Sequence, residues 1–120
     1  MKGSYLGSSS APTAGNTEVS PVNVFSSPVV LARHDGYMGS GSERLVLHMG
    51  QNVPADIARE LDVKLDDGKP ETGILRNAAT GTSVETAGDD CRAGSGSSGS
   101  ASNDWNIADN PQNCNPTYLF

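Results

Sequence analysis

Ile57-Ala58-Arg59-Glu60-Leu61-Asp62-Val63-Lys64-Leu65-Asp66-Asp67-Gly68-Lys69-Pro70-Glu71-Thr72-Gly73 holds a helix, a stop and a turn in one run. Ile57, Leu61 and Leu65 recur at i, i+4 and i+8, which predicts one apolar stripe on an amphipathic helix of about three turns. Ala58 sits beside that stripe and is small enough not to crowd a neighbouring strand. Upstream, Pro54 suits the first turn of the helix, and the Asp56 carboxylate suits the positive end of its dipole. Gly68 is the expected C′ residue that ends the helix. Asp66 and Asp67 are expected to cap the turn through nearby backbone amides, as Asp commonly does.

Strands are expected on both sides. Val22–Arg33 carries Pro28-Val29-Val30-Leu31-Ala32, whose β-branched valines suggest a strand with Pro28 at its start or on an edge. His34-Asp35-Gly36 and Gly39-Ser40-Gly41-Ser42 mark a turn. Arg44–Met49 is the next strand, so the two segments read as a hairpin. Thr72–Asn77 is a further strand built on Ile74 and Leu75, with Thr82-Ser83-Val84 as a short extended piece. Pro116–Phe120 closes the chain as a short paired strand. Asp104-Trp105-Asn106-Ile107 is expected to supply an apolar anchor. The fold class expected is α+β and β-dominated: a small antiparallel sheet, one short helix, long loops and a closed C-terminal region.

The chain has 120 residues, enough for one small domain. Residues 1–21, rich in Ser, Gly, Thr and Pro, read as a flexible or extended lead-in, and 22–120 as the globular domain. Ala93–Asn103 reads as a flexible Gly/Ser segment. Apolar residues make up 35% and aromatics 5%, so the core is small and needs a disulfide, a metal or a partner. The two cysteines, Cys91 and Cys114, belong to no CxxC pair and have no histidine beside them, so they cannot build a structural zinc site. A disulfide in an oxidising compartment is the favoured reading, worth roughly 3 kcal/mol by loop entropy. Two free thiols in a cytosolic protein are the alternative.

A formal charge of −6 with scattered Lys and Arg argues against nucleic-acid binding and against an anionic membrane surface. No stretch approaches the ~20 apolar residues of a membrane span. Met1–Ser10 lacks the apolar centre of a signal peptide, so an exported chain would have lost or replaced its export segment.

Few residues point to chemistry. His48 lies in an apolar strand on one face with Val46 and Arg44, where a half-buried structural role is expected. His34-Asp35 imitates part of a catalytic dyad, but no serine stands in a nucleophile context and no acid, base and nucleophile converge. The chain is therefore read as not an enzyme. Gly94–Gly99 lacks the Lys-Ser/Thr of a phosphate loop. Asp62, Asp66 and Asp67, with Asp56 and Glu71 nearby, offer hard oxygens for Ca²⁺ around a tight turn. Their spacing departs from the EF-hand pattern. Calcium is the one cofactor the sequence suggests, with capping as the plainer use.

Val53-Pro54-Ala55-Asp56-Ile57-Ala58 and Leu61–Ile74 together resemble the alternating Asp/Lys, then Asp-Asp-Gly-x-Pro-x-Thr-Gly segment in the heads of type IV pilin-like and pseudopilin-like proteins. Cys91, Trp105-Asn106, Cys114 and Tyr118-Leu119-Phe120 follow in the family's order, so the resemblance covers roughly residues 43–120. It implies a solvent-exposed filament head, a structural subunit of a pilus or secretion pseudopilus, exported through the periplasm to the cell surface. Such proteins normally begin with a hydrophobic helix, which is not seen in this sequence. The chain is also similar to the separately encoded head of split pilins, whose helix comes from a second, short pilin. The resemblance implies pilin partners in a homo- or hetero-oligomeric filament and an apolar strip where the helix docks. Val29, Leu31, Leu45, Leu47, Ile57, Leu61 and Ile74 are its candidates, with Leu45, Leu47, Ile57 and Leu61 foremost. A calcium- or ligand-binding extracellular module is the alternative reading.

Overall fold

In the computed structural model, residues 21–39, 41–79, 89–94 and 102–120 are described. Residues 1–20 of the lead-in, the extended piece at Thr82-Ser83-Val84 and most of the 93–103 segment lie outside them. The fold is small, α+β and strand-dominated. It has strands β1 (Val30–His34), β2 (Arg44–His48), β3 (Leu75–Asn77) and β4 (Pro116–Leu119), and helix α1 (Ala55–Leu65) between β2 and β3. All strand pairs are antiparallel, in the order β1-β2-β4-β3. The expected hairpin is β1–β2. Pro28, which has no N–H to give a ladder, stays outside β1 and forms only an isolated bridge with Val22.

Side chains alternate across the sheet, so the register assigns each one a face. Val30 pairs with His48 and His48 with Thr117, a row on the inner face. Leu31 pairs with Leu47 and Leu47 with Tyr118, a row on the outer face. On the inner face Val46, His48 and Thr117 are wholly buried. Tyr37, from the β1–β2 connection, packs with Val46 and Leu119 and donates its hydroxyl to the Ser42 carbonyl at 2.6 Å.

The second core surrounds the Cys91–Cys114 disulfide, whose Cα atoms lie 5.6 Å apart. Val53, Ala55, Ala58 and Trp105 enclose it, with Phe25 packed alongside. Two isolated bridges, Val53–Cys114 and Arg92–Trp105, tie this region together.

Helix α1 begins at Ala55, with Pro54 as its extended N-cap. Pro54 thus stands one position before the expected first turn, while Asp56 lies in that turn as expected. The free amides at this end are met by the loop: Ala55 donates to the Pro111 carbonyl and Asp56 to Asn110 Oδ1. Gly68 falls beyond the helix, inside the following turn with φ +75°, and Asp66 is the C-cap. The helix ends earlier than glycine placement suggests because the Asp66 and Asp67 side chains bond into the turn.

The helix buries a face turned by about 90° from the one its periodicity predicts. Ala55, Ala58 and Asp62 are buried, whereas Ile57 and Leu65 remain about half exposed (48% and 49%) and Leu61 is partly buried. The physical reason is Trp105. Its indole fills the space beside the disulfide, and only small side chains let the helix backbone approach it.

Removing the disulfide should cost a large share of the stability of so lean a core. The Cys91→Ser/Cys114→Ser double variant is expected to lose about 3 kcal/mol of unfolding free energy. Urea melts with and without reductant check this; equal midpoints would show that the link is dispensable.

Candidate functional site

The acidic turn is built by its own carboxylates. Asp66 Oδ2 accepts the backbone amides of Ile74 and Leu75, the latter at 3.0 Å, and so fastens the start of β3 to the end of α1. Asp67 Oδ1 accepts the Lys69 amide at 2.9 Å, and its Oδ2 accepts the Thr72 hydroxyl at 2.6 Å. The expected capping role is what these bonds show. Gly73, at φ +73°, is required here because a Cβ would run into the Asp66 carboxylate.

Asp62 faces inward from the same cluster. Its carboxylate is wholly buried, and Oδ2 accepts the Trp105 indole N–H at 2.8 Å. Among the described residues Oδ1 has no hydrogen-bond partner. Burial pushes the Asp62 carboxyl up to about 6; the Trp105 and Gly68 N–H groups oppose the rise, and the Asp67 and Asp66 charges add to it. Asp62, Asp66 and Asp67 each place a carboxylate oxygen within 4.8 Å of the others. The three expected calcium residues are therefore brought together, although two of them already serve as caps. Asp56 is exposed at the other end of α1, and Glu71 is engaged by Arg92.

The expected docking residues divide between two elements. Leu45 and Leu47 lie on the outer sheet face with Leu31 and Tyr118, and Phe120 extends that face beyond β4. The Phe120 amide donates to the Leu45 carbonyl, and the Phe120 ring meets Tyr118 edge-on at 5.1 Å. Leu31 (59%), Leu45 (42%) and Phe120 (58%) are open to solvent. Ile57 and Leu61 belong to the helix surface instead. The outer row was only partly legible: alternation in β2 marks Leu45 and Leu47, but Tyr118 and Phe120 join them only once β4 takes its place beside β2.

A third constellation escaped the sequence reading. His34 and His48, on the inner face, stack with ring centroids 4.7 Å apart, their Nε2 atoms 2.5 Å from each other. His48 is fully buried rather than half-buried, and its Nδ1 lies 2.7 Å from Thr117 Oγ1. His34 Nδ1 accepts the Gly36 amide at 2.8 Å. The His34-Asp35 neighbours form no dyad hydrogen bond. Burial lowers the His48 ring to about 4, helped by the neighbouring His34; burial also lowers His34, against the opposing charge of Asp35. The one sequence signal for this pair is parity, since both histidines fall on the same face once the hairpin register is known.

No helix among the described residues is long and apolar enough to cross a membrane. The disulfide fits an oxidising environment such as the periplasm or the cell exterior. Comparison with protein-family models, curated proteins and solved structures found no match for this chain.

Because the Asp62 carboxyl is raised in the folded state, its stabilising contribution is fully present below the unfolded value near 4 and is lost as pH rises through about 6. Asp62→Asn keeps an acceptor for Trp105 and removes the charge. The variant is expected to be about 1–3 kcal/mol more stable than the parent at pH 7.5, with the gap closing by pH 4. Paired urea melts across that range check both the sign and the window.

Proposed function

We propose that this chain is a structural subunit, the head of a type IV pilin-like or pseudopilin-like filament at the cell surface or in the periplasm. It docks through its outer sheet face on a hydrophobic helix supplied by the same or a partner chain. The observation that carries the reading is the outer-face row Leu31–Leu47–Tyr118, which is exposed at the β1 edge, half-buried at Leu47 and Tyr118, and closed at its β3 end by the buried Leu75. Exposed apolar surface gathered on one face marks an interaction site. The row crosses two inter-strand spacings, about 10 Å, which is the width of one α-helix. Leu45 and Phe120 lengthen it along the strands, the direction a helix axis would follow. The resemblance in residues 43–120 supports the pilin-like reading, and the disulfide suits a head that works outside the reducing cytosol.

Co-expression with the short hydrophobic prepilin encoded nearest to this gene, then mass spectrometry of sheared filaments, tests the proposal. Both chains are expected in equal amounts. Leu31→Asp and Leu45→Asp should weaken recovery at least tenfold while the melting temperature stays within a few degrees. Filaments that lack this chain, or variants recovered like the parent, would sink it.

A calcium-binding module is the second reading, favoured by the unpartnered Asp62 Oδ1 beside Asp66 and Asp67. On this reading millimolar Ca²⁺ raises the melting temperature by several degrees, and Asp67→Asn abolishes the rise. An unchanged melting curve removes it.

A further inference from the structure

The His34–His48 contact has a direction. The Gly36 N–H donates to His34 Nδ1, so that nitrogen is an acceptor and the ring's proton sits on Nε2. His34 Nε2–H then donates to His48 Nε2, which places the His48 proton on Nδ1, facing Thr117 Oγ1. The Thr117 hydroxyl donates onward to the Asn115 carbonyl at 3.2 Å. Each atom in the chain from Gly36 to Asn115 has one role, and the pattern closes only when both rings are neutral.

We propose that this chain is an acid-released latch, which fastens the exit of edge strand β1 to β2 and β4 while both histidines are neutral and lets go when they take up protons. A proton added at His34 Nδ1 meets the Gly36 N–H, donor against donor. A proton added at His48 Nε2 meets the His34 Nε2–H in the same way. Among the described residues, the hydrogen-bond neighbour of each of these nitrogens is a donor.

The charges around the pair decide the order. Asp35, beside His34, favours the first proton on His34, which is also the more exposed ring. Arg44 stands opposite His34 in the β1–β2 ladder. From β3, Arg76 stands opposite Thr117 and lies over the Tyr37 ring at 5.4 Å. Once charged, His34 resists a second proton on His48. The first event is therefore loss of the Gly36–His34 bond, and the second is separation of the stacked rings.

Among the described residues β1 has one neighbour in the sheet, β2. An edge strand held by one ladder opens at lower cost than the centre of a sheet, so the release stays local. It would also part Leu31 from Leu47 on the outer face and weaken docking there. That consequence rests on the filament reading above; the latch does not.

Global stability is a poor readout, because Asp62 titrates in the same range with the opposite sign. The experiment is NMR on the ¹⁵N-labelled full chain from pH 7.5 to 4.5, reading the imidazole nitrogens and the exchange of backbone amides corrected for intrinsic rate. At pH 7.5, His34 is expected as the Nε2–H tautomer and His48 as the Nδ1–H tautomer. Between pH 7 and 5, protection of Gly36 and of β1 should fall at least tenfold, while the β3–β4 amides hold. His34→Gln keeps an N–H donor towards His48 and cannot titrate, so its β1 protection should be flat with pH. Reversed tautomers, or titration of both rings at the ordinary value with β1 protection unchanged, would overturn the latch. Equal loss across β3–β4 would overturn it too. If His34→Gln does not fold, the tautomers and the local exchange of the parent chain decide the matter.

Discussion

The Cys91–Cys114 link is the constraint on which the rest of this fold depends. Around it, among the described residues, two isolated bridges stand where a larger domain would have strands. A covalent tie restricts the unfolded chain and so stabilises the fold without apolar surface, the quantity this composition lacks. Trp105 then fills the space beside the sulfurs, and the helix comes close because Ala55 and Ala58 are small. The position of α1 in turn sets where Asp62, Asp66 and Asp67 converge.

The interior is polar for its size. His48, Asp62, Asn77, Asn115 and Thr117 are wholly buried. Most are partnered: Asn77 Oδ1 accepts the Asn115 amide at 3.0 Å, and Asp62 takes the Trp105 N–H. Neither polar atom of the Asn115 side chain has a hydrogen-bond partner among the described residues. Directional bonds of this kind specify pairing more than they add net stability, because each replaces a bond to water. In a sheet of short strands, that specificity keeps the register from slipping by one residue, which would exchange the two faces.

The two faces of the sheet thereby take different work. The inner face holds the histidines, Thr117 and the Tyr37 cluster, and its hydrogen bonds cross from β1 to β4. The outer face holds leucines and two aromatic rings. Alternation puts the rows next to each other, His48 beside Leu47 and Thr117 beside Tyr118. Whatever holds the inner row in register also lines up the outer one, so the filament reading and the latch meet in the same three strands.

Local chemistry determined much of this protein from sequence. The β1–β2 hairpin, the helix near residues 55–65, the turn with its Asp caps and the final strand follow from neighbours within a few positions. Propensity and turn geometry act at that range. The cysteine pair was legible because only two are present. Tertiary structure alone decided which face of the helix is buried. Periodicity identifies an apolar stripe, Ile57–Leu61–Leu65, but Trp105 selected the Ala55–Ala58–Asp62 side, through a contact that spans 43 positions. It also decided that His34 and His48 meet and that Tyr118 and Phe120 complete the outer face. Those outcomes depend on strand order and register, which are settled by long-range packing and by no single segment's own preference.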